Sequence, residues 1–536
     1  MAEHVAADKQ TQEQKRRELW KSALFRWLVF VQMLVLFAFA YVHFGDLLIQ
    51  QTNSTHEEMF MHDQMHNLRL ATQTHEDLRP NFNKGVLKPL ENWFPHRTDG
   101  VVNPLWPWMA AWMVEDGHEI TEAAMRDKVV TERDRKLFNR GREAQVFLSL
   151  GFLIMLGIGA CRLFSLPAAC NLVLLGGFGA FLPRAAYFQP EPVYFIFFFL
   201  TWVACMSALH HNSLWIYTII GVLSGIAYMA KGSIAPLLGV FVLVSSLRCI
   251  WEFFSAQRRG LQLAGAHLWH WRNHLVGIVF LGAAHLMTIG PRLTDAQEKF
   301  GDMFHSYASY WMWMDSFGGT ETINDSSTGY GWMDKHRSRD ELTVMLPQDR
   351  PSLTTYLHTH TGQEALDRLW NGTRDRLEEF AWPKQTKRKT TDLQKGWRGI
   401  LEWRGLYLAW LFAALGALVI VLVAAAPKPE HAGHIVFRHG SVTTILFVAG
   451  TCAAYALAYG WYAPIAHGSG DRFMLSLYLP LAFSIIWGAE TIVRRLRRRK
   501  GSAWIQRGYQ ATQWILFCAI NWRLVEILRH PLFYHK

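Results

Sequence analysis

The sequence predicts an all-α polytopic membrane protein with ten or eleven transmembrane helices. Three observations lead there. Of 536 residues, 51% are hydrophobic, 14% aromatic and only 18% charged, a balance that a soluble chain of this length does not need. Apolar runs recur at the length that crosses ~30 Å of hydrocarbon, about 20 residues. Basic clusters sit beside those runs, as in "KQTQEQKRRELWK" (Lys9 to Lys21) and "RRLRRRK" (Arg494 to Lys500), the pattern that fixes a topology.

In chain order the runs fall at 24–44, 144–163, 165–183, 193–209, 213–230, 233–251, 273–291, 404–427, 440–460 and 472–492. A weaker run at 512–528 either spans or lies in the interface. A long polar stretch precedes the first run, so that run reads as a retained helix, not a cleaved signal peptide. With the basic tail 1–23 in the cytoplasm, alternation puts 45–143 and 292–403 outside. It puts 252–272, "APKPEHAGHIVFRHG" and "RRLRRRKG" inside. Every strongly basic short loop then lands on the cytoplasmic side. The chain divides into the tail 1–23, an N-terminal transmembrane module 24–291 with the outer loop 45–143, an outer segment 292–403, and a C-terminal module 404–536 with its basic loop.

The net charge of +11 is carried by those loops. No aromatic-interleaved basic module appears, so nucleic acid is not an expected partner. The six cysteines lie in or beside apolar runs, without CxxC or zinc spacing, so no disulfide framework is expected.

Neither outer segment reads as disordered. "NPLWPWMAAWM", "SYWMWMDSF" and "GYGWMDKH" are dense in Trp and Tyr, as in segments packed on a membrane face or lining an aromatic groove. Around Asp315 such rings serve packing or a sugar platform. In "THEEMFMHDQMHNLRLA", Met61, Met65 and Leu68 keep helical spacing. That predicts a short amphipathic helix carrying Asp63 between His62 and His66. Pro95, Pro104 and Pro107 then break regular structure, and Trp106, Trp108 and Trp112 reach interfacial depth. An acid at that depth costs free energy unless it faces a cavity or a partner. The alternatives are a solvated surface acid, or a divalent cation held by His62, Asp63 and His66, since i and i+4 share a face.

These stretches resemble the polyprenyl-phosphate-sugar-dependent glycosyltransferases of the GT-C fold, which include the protein O-mannosyltransferases and the lipid A aminoarabinose transferases. "DQMHNLRLA" is similar to that family's acidic interfacial helix, and "DGVVNPLWPW" to its proline-containing element. "YFQPEPVYFIFFFL" is similar to the loop before the fourth span, with Glu191 at the acidic position. "GIAYMAKGSIAPLL" resembles the Gly-x-x-x-x-x-Lys-Gly turn carrying Lys231, and "GDRFMLSLYLPLAF" the Arg-aromatic start of a late span carrying Arg472. Gln64 stands where the family has a second acid, with Glu57, Glu58 and Asp77 nearby, and Asn103 stands where many members have Lys.

The resemblance implies a GT-C-like bundle that transfers a sugar from a polyprenyl-phosphate carrier to a protein, lipid or glycan acceptor outside the cytoplasm, with inversion. Asp63 is then the general base, because a partly desolvated carboxylate is a better one. Lys231 and Arg472 meet the leaving phosphate, with Arg184 as a third cation. Glu191 orients the acceptor or only turns the chain, His467 touches phosphate, and Asn103 takes the place of a phosphate contact. The bland alternative for Lys231 and Arg472 is snorkelling at span ends. No cofactor is required beyond that optional cation, and no nucleotide-binding motif appears. The competing functions are a transporter or flippase of a lipid-linked glycan, a non-catalytic subunit of a membrane complex, and a glycan polymerase or ligase. Short tails and a C-terminus without a retention signal place the expectation in a bacterial inner membrane.

Overall fold

The computed structural model describes residues 2–52, 63–83, 94–121, 129–211, 213–258, 268–317, 332–333, 341–342, 350–381, 392–424, 439–465, 474–497 and 503–529. All regular structure among them is helical. Nine helical stretches among the described residues are long and apolar enough to cross a membrane. The chain is therefore an all-α, multi-pass membrane protein.

Helix α1 (Ala2–Thr52) joins tail and first span without a break. α2 (Gln64–Asn83) and α3 (Leu105–Ala111) form the first loop segment. α4 (Glu132–Leu163) begins well before its apolar run at 144. The cause is a reciprocal cap: Thr131 Oγ1 accepts from Asp134 N at 3.2 Å while Asp134 Oδ2 accepts from Thr131 N at 2.7 Å, so polar turns precede the membrane part.

α5 (Leu166–Gly176) passes through a π turn, Gly177–Phe181, into α6 (Leu182–Ala185). A π turn disturbs the carbonyl ladder. Here the buried Arg404 donates to Gly179 O at 3.1 Å. This span is the centre of the bundle: 89% of its apolar window is buried, against 22% for Asn273–Phe300. Phe178 takes the rings of Phe37, Tyr41 and Phe44 at 5.5, 5.9 and 5.5 Å.

α7 (Glu191–His210), α8 (Leu214–Ala230) and α9 (Ala235–Arg258) follow, the last two joined by a 3-10 turn at Gly232–Ile234. α8 has only 17 residues and is held by close packing on α10 (Leu268–Phe300). A Cβ on Gly221 would stand 2.5 Å from Leu281 O, and one on Gly225 2.5 Å from the Thr288 Cβ. Small residues four apart let two helices approach closely in lipid. Polar groups within this pair are matched, Ser224 with His285 at 2.9 Å and Tyr217 with His274.

Beyond α11 (Tyr307–Trp311) and α12 (Leu353–Thr359), α13 (Gly362–Ala381) lies across the end of α15 (His439–Trp461). Here too glycines permit contact: a Cβ on Gly372 would fall 2.0 Å from Gly460 O. Arg368 and Arg376 secure the junction by donating to Trp461 O at 3.0 Å and Ala463 O at 3.3 Å.

α14 (Asp392–Ala424), α16 (Leu475–Arg497) and α17 (Ala503–Leu528) complete the bundle. α17 contains the weak run at 512–528, and it lies along the bundle beside α14. Tyr509 stacks on Trp410 at 6.0 Å, Gln513 bonds Tyr407 at 3.4 Å and Asn171 at 2.7 Å, and Trp522 and Trp403 line one cleft. One end of the bundle carries the loop segments and is called the loop end; the other carries Arg494, Arg495 and Arg497.

Candidate functional site

Among the described residues, those singled out by sequence collect at the loop end. Lys231 caps α8 and Glu191 opens α7. The Lys231 ammonium donates to Glu191 Oε1 at 3.0 Å, with Glu191 3% and Lys231 19% exposed. A buried carboxylate needs such a partner. Asn103 arrives from the first loop: its Nδ2 stands 3.9 Å from where a Cβ would lie on Gly232. Asn103, Glu191 and Lys231, spread over the N-terminal half of the chain, thus meet at one turn.

Asp63 stands just ahead of α2 with φ of 56°, the sole non-glycine residue among those described with positive φ. An Asp tolerates this region better than most residues. Its carbonyl accepts from Asn67 N at 3.1 Å and Asn67 Nδ2 at 2.8 Å. The next residue explains where α2 sits. Gln64 is buried, and its Oε1 accepts from Phe188 N at 2.7 Å. A neutral amide does here what a buried acid would do only at a desolvation penalty. The loop so latched leads directly into Glu191.

Sequence reasoning passed over the partner of His66. Asp99, in the Pro/Trp stretch, bonds His66 Nδ1 at 3.0 Å and receives Val101 N at 3.0 Å and Val102 N at 2.9 Å. Burial disfavours the imidazolium, yet the hydrogen bond and charge of Asp99, with Asp63 adding, hold His66 above its ordinary value. Burial likewise works against the Asp99 carboxylate, and the bond to His66 and its charge, then Val102 N–H and Arg69, hold it below the usual range. The same loop is tied to α10 from the other side: Asp295 accepts from Thr98 N and from Lys299, each at 2.9 Å. The signal in the sequence was Asp99 beside Gly100, a turn pair, but nothing there named its partner.

A second feature was also missed. Tyr194, one helical turn beyond Glu191, is 1% exposed and faces Ser233, Tyr455 and Ser476. The hydroxyls of Tyr194, Ser233, Tyr455 and Ser476 thus form a buried cluster next to the Lys231 turn, where a polar ligand could meet them.

Arg184 is half-buried at the same end, its carbonyl accepting from Tyr187 N at 3.1 Å. Arg472, His467 and His62 lie outside the described residues; the flanking Ile465 and Met474 are buried, and Ser476 lies beside Tyr194. His66 turns its Nδ1 to Asp99, and no three-residue metal cluster occurs among the described residues. Asp315 is 68% exposed and bonds His360 and Arg368. The rings near it, Tyr307, Trp311 and Trp332, are buried against one another as a small core, so they pack the loop segment.

No family model matches the chain, and no curated protein matches it significantly.

Proposed function

We propose that the protein transfers a sugar from a polyprenyl-phosphate carrier to a hydroxyl acceptor on the outer face of the membrane. The observation that carries this reading is the meeting of Asn103, Glu191 and Lys231 at one turn, joined through Gln64 and Phe188 to the helix that Asp63 begins. Lone cations at span ends commonly snorkel to water. Lys231 instead is held inward by a buried carboxylate, so its charge is positioned.

In the reaction the acceptor oxygen attacks the anomeric carbon while its proton passes to the Asp63 carboxylate. The bond from that carbon to the carrier phosphate breaks, and its electron pair leaves on the phosphate. Negative charge develops there and is met by Lys231 and by Arg472. Glu191 fixes the ammonium through one of its three donors. The His66–Asp99 pair holds the Asp63 helix against the loop that presents Asn103, so base and cation keep a set separation.

A flippase or transporter needs polar groups lining a path through the bundle. The mid-span Ser224 of α8 and His285 of α10 are instead matched with each other between close-packed helices, which favours transfer chemistry. The test is sugar release from a labelled polyprenyl-phosphate donor in proteoliposomes. Asp63→Asn should lower turnover by about 100- to 10,000-fold, and Arg472→Ala should also lower it, with unfolding midpoints unchanged. Wild-type turnover in both folded variants removes the assignment.

A further inference from the structure

A concavity lies at the loop end between the start of the α14 span and the last turns of α17. Its volume is about 310 Å³, and Glu402, Trp403, Ala519, Trp522, Arg523 and Glu526 line it. That is the low end of the ~300–1,000 Å³ typical of ligand sites. None of these residues belongs to the Asp63–Lys231 constellation.

The lining has two characters. Trp403 sits at the start of the apolar part of α14 and Trp522 near the end of α17, where indoles prefer the level of lipid headgroups. Between them are one cation and two carboxylates. Arg523 pairs with Glu526 on its own helix, and Glu402 is exposed on the neighbouring one. Towards the middle of the bundle the same two helices turn apolar side chains outward: Leu406 is 45%, Phe412 53% and Ile515 66% exposed. A charged cup thus tops an apolar track, the chemistry of a phospholipid.

The balance of charge selects the headgroup. One guanidinium can meet a phosphate, and a carboxylate from the facing helix is then left for a positive group. An anionic headgroup would meet that carboxylate unfavourably. We propose that this cleft binds an amine-headed zwitterionic phospholipid, with its phosphate on Arg523 and its ammonium on Glu402. The proposal does not depend on the glycosyl-transfer reading.

The test is native mass spectrometry of the full chain in mild detergent, offered equal amounts of phosphatidylethanolamine and phosphatidylglycerol. Wild type should retain the ethanolamine lipid over the glycerol lipid by about threefold, the worth of one partly exposed charge contact. Glu402→Gln should bring the ratio to about one, and Arg523→Gln should weaken retention of both. Trp504→Phe, at the opposite end of α17, should leave the ratio unchanged. Glu402 is exposed, so its variant keeps the fold, and an unaltered unfolding midpoint checks this. Equal retention of the two lipids by wild type, or an unchanged preference in Glu402→Gln, overturns the proposal.

Discussion

Removing the Lys231 ammonium separates what the ion pair does for the fold from what it does for the reaction. Glu191 is 3% exposed, Lys231 is 19% exposed, and they bond at 3.0 Å. Two unit charges at that distance attract by about 5 kcal/mol at an effective dielectric of ~20. Desolvation offsets most of this attraction, so the intact pair contributes little net stability. Losing one member is different, because the other charge stays buried. Lys231→Met should cost about 3 kcal/mol, the low end for breaking a buried pair, since the lysine is partly wet. Glu191→Gln should cost about 2 kcal/mol, as the ammonium can turn to water. The double variant strands no charge. It should be more stable than the summed single effects by about 2 kcal/mol, a coupling expected of residues in contact. The assay is unfolding of the detergent-solubilised protein, run beside sugar transfer in proteoliposomes. The double variant should be no less stable than Lys231→Met alone but stay about 100-fold slow, since only Arg472 is then left to meet the leaving phosphate. If the two substitutions prove additive, the pair is not the buried contact described. If the double variant transfers sugar at the wild-type rate, Lys231 has no part in the chemistry.

Three further outcomes are expected. Stability should have two histidine-dependent limbs of opposite sign. His66 is raised, so its contribution is fully present below the ordinary imidazole value and is lost as pH rises through its folded value. His305 is pushed down to about 4 by burial, with Asp302 opposing and Arg292 adding to the shift, so its contribution is present at neutral pH and is lost as pH falls from ~6.5 towards that value. Unfolding midpoints across pH should show His66→Gln flattening the alkaline limb and His305→Phe the acid limb; unchanged limbs sink the assignment. Gly372→Leu should detach α13 from α15, destabilising by about 3 kcal/mol, because a Cβ there meets Gly460 O at 2.0 Å; limited proteolysis would show protection lost across 362–381, and wild-type protection would refute the packing. Tyr194→Phe should lower the unfolding midpoint only slightly, by the worth of about one buried hydrogen bond, since its hydroxyl lies among those of Ser233, Tyr455 and Ser476, while raising the KM for the lipid-linked donor. An unchanged KM would mean that the hydroxyl meets no substrate.

The membrane character and the order of the helices were legible in the sequence, because hydrophobic thickness imposes a length that every span must declare locally. The short run at 213–230 did form a helix, although its security comes from Gly221 and Gly225 against α10, a fact of the partner helix. The run at 512–528 stayed ambiguous for the converse reason. Gln513 makes α17 less apolar, and only its bonds to Asn171 and Tyr407 show how a polar residue is accommodated along the bundle.

The same division holds at the site. Asp63 could be singled out as an acid on a short helix at the edge of an apolar run, and Glu191, Lys231 and Asn103 through the family resemblance of the motifs that carry them. That Glu191 holds Lys231, that Gln64 is a latch on Phe188 and that Asp99 holds His66 could not be read from the sequence. Such bonds join residues distant in the chain, and local pattern carries no information about which buried polar groups will answer one another. Length and hydropathy set how many times this chain passes through lipid; the packing of those passes decided which charges meet.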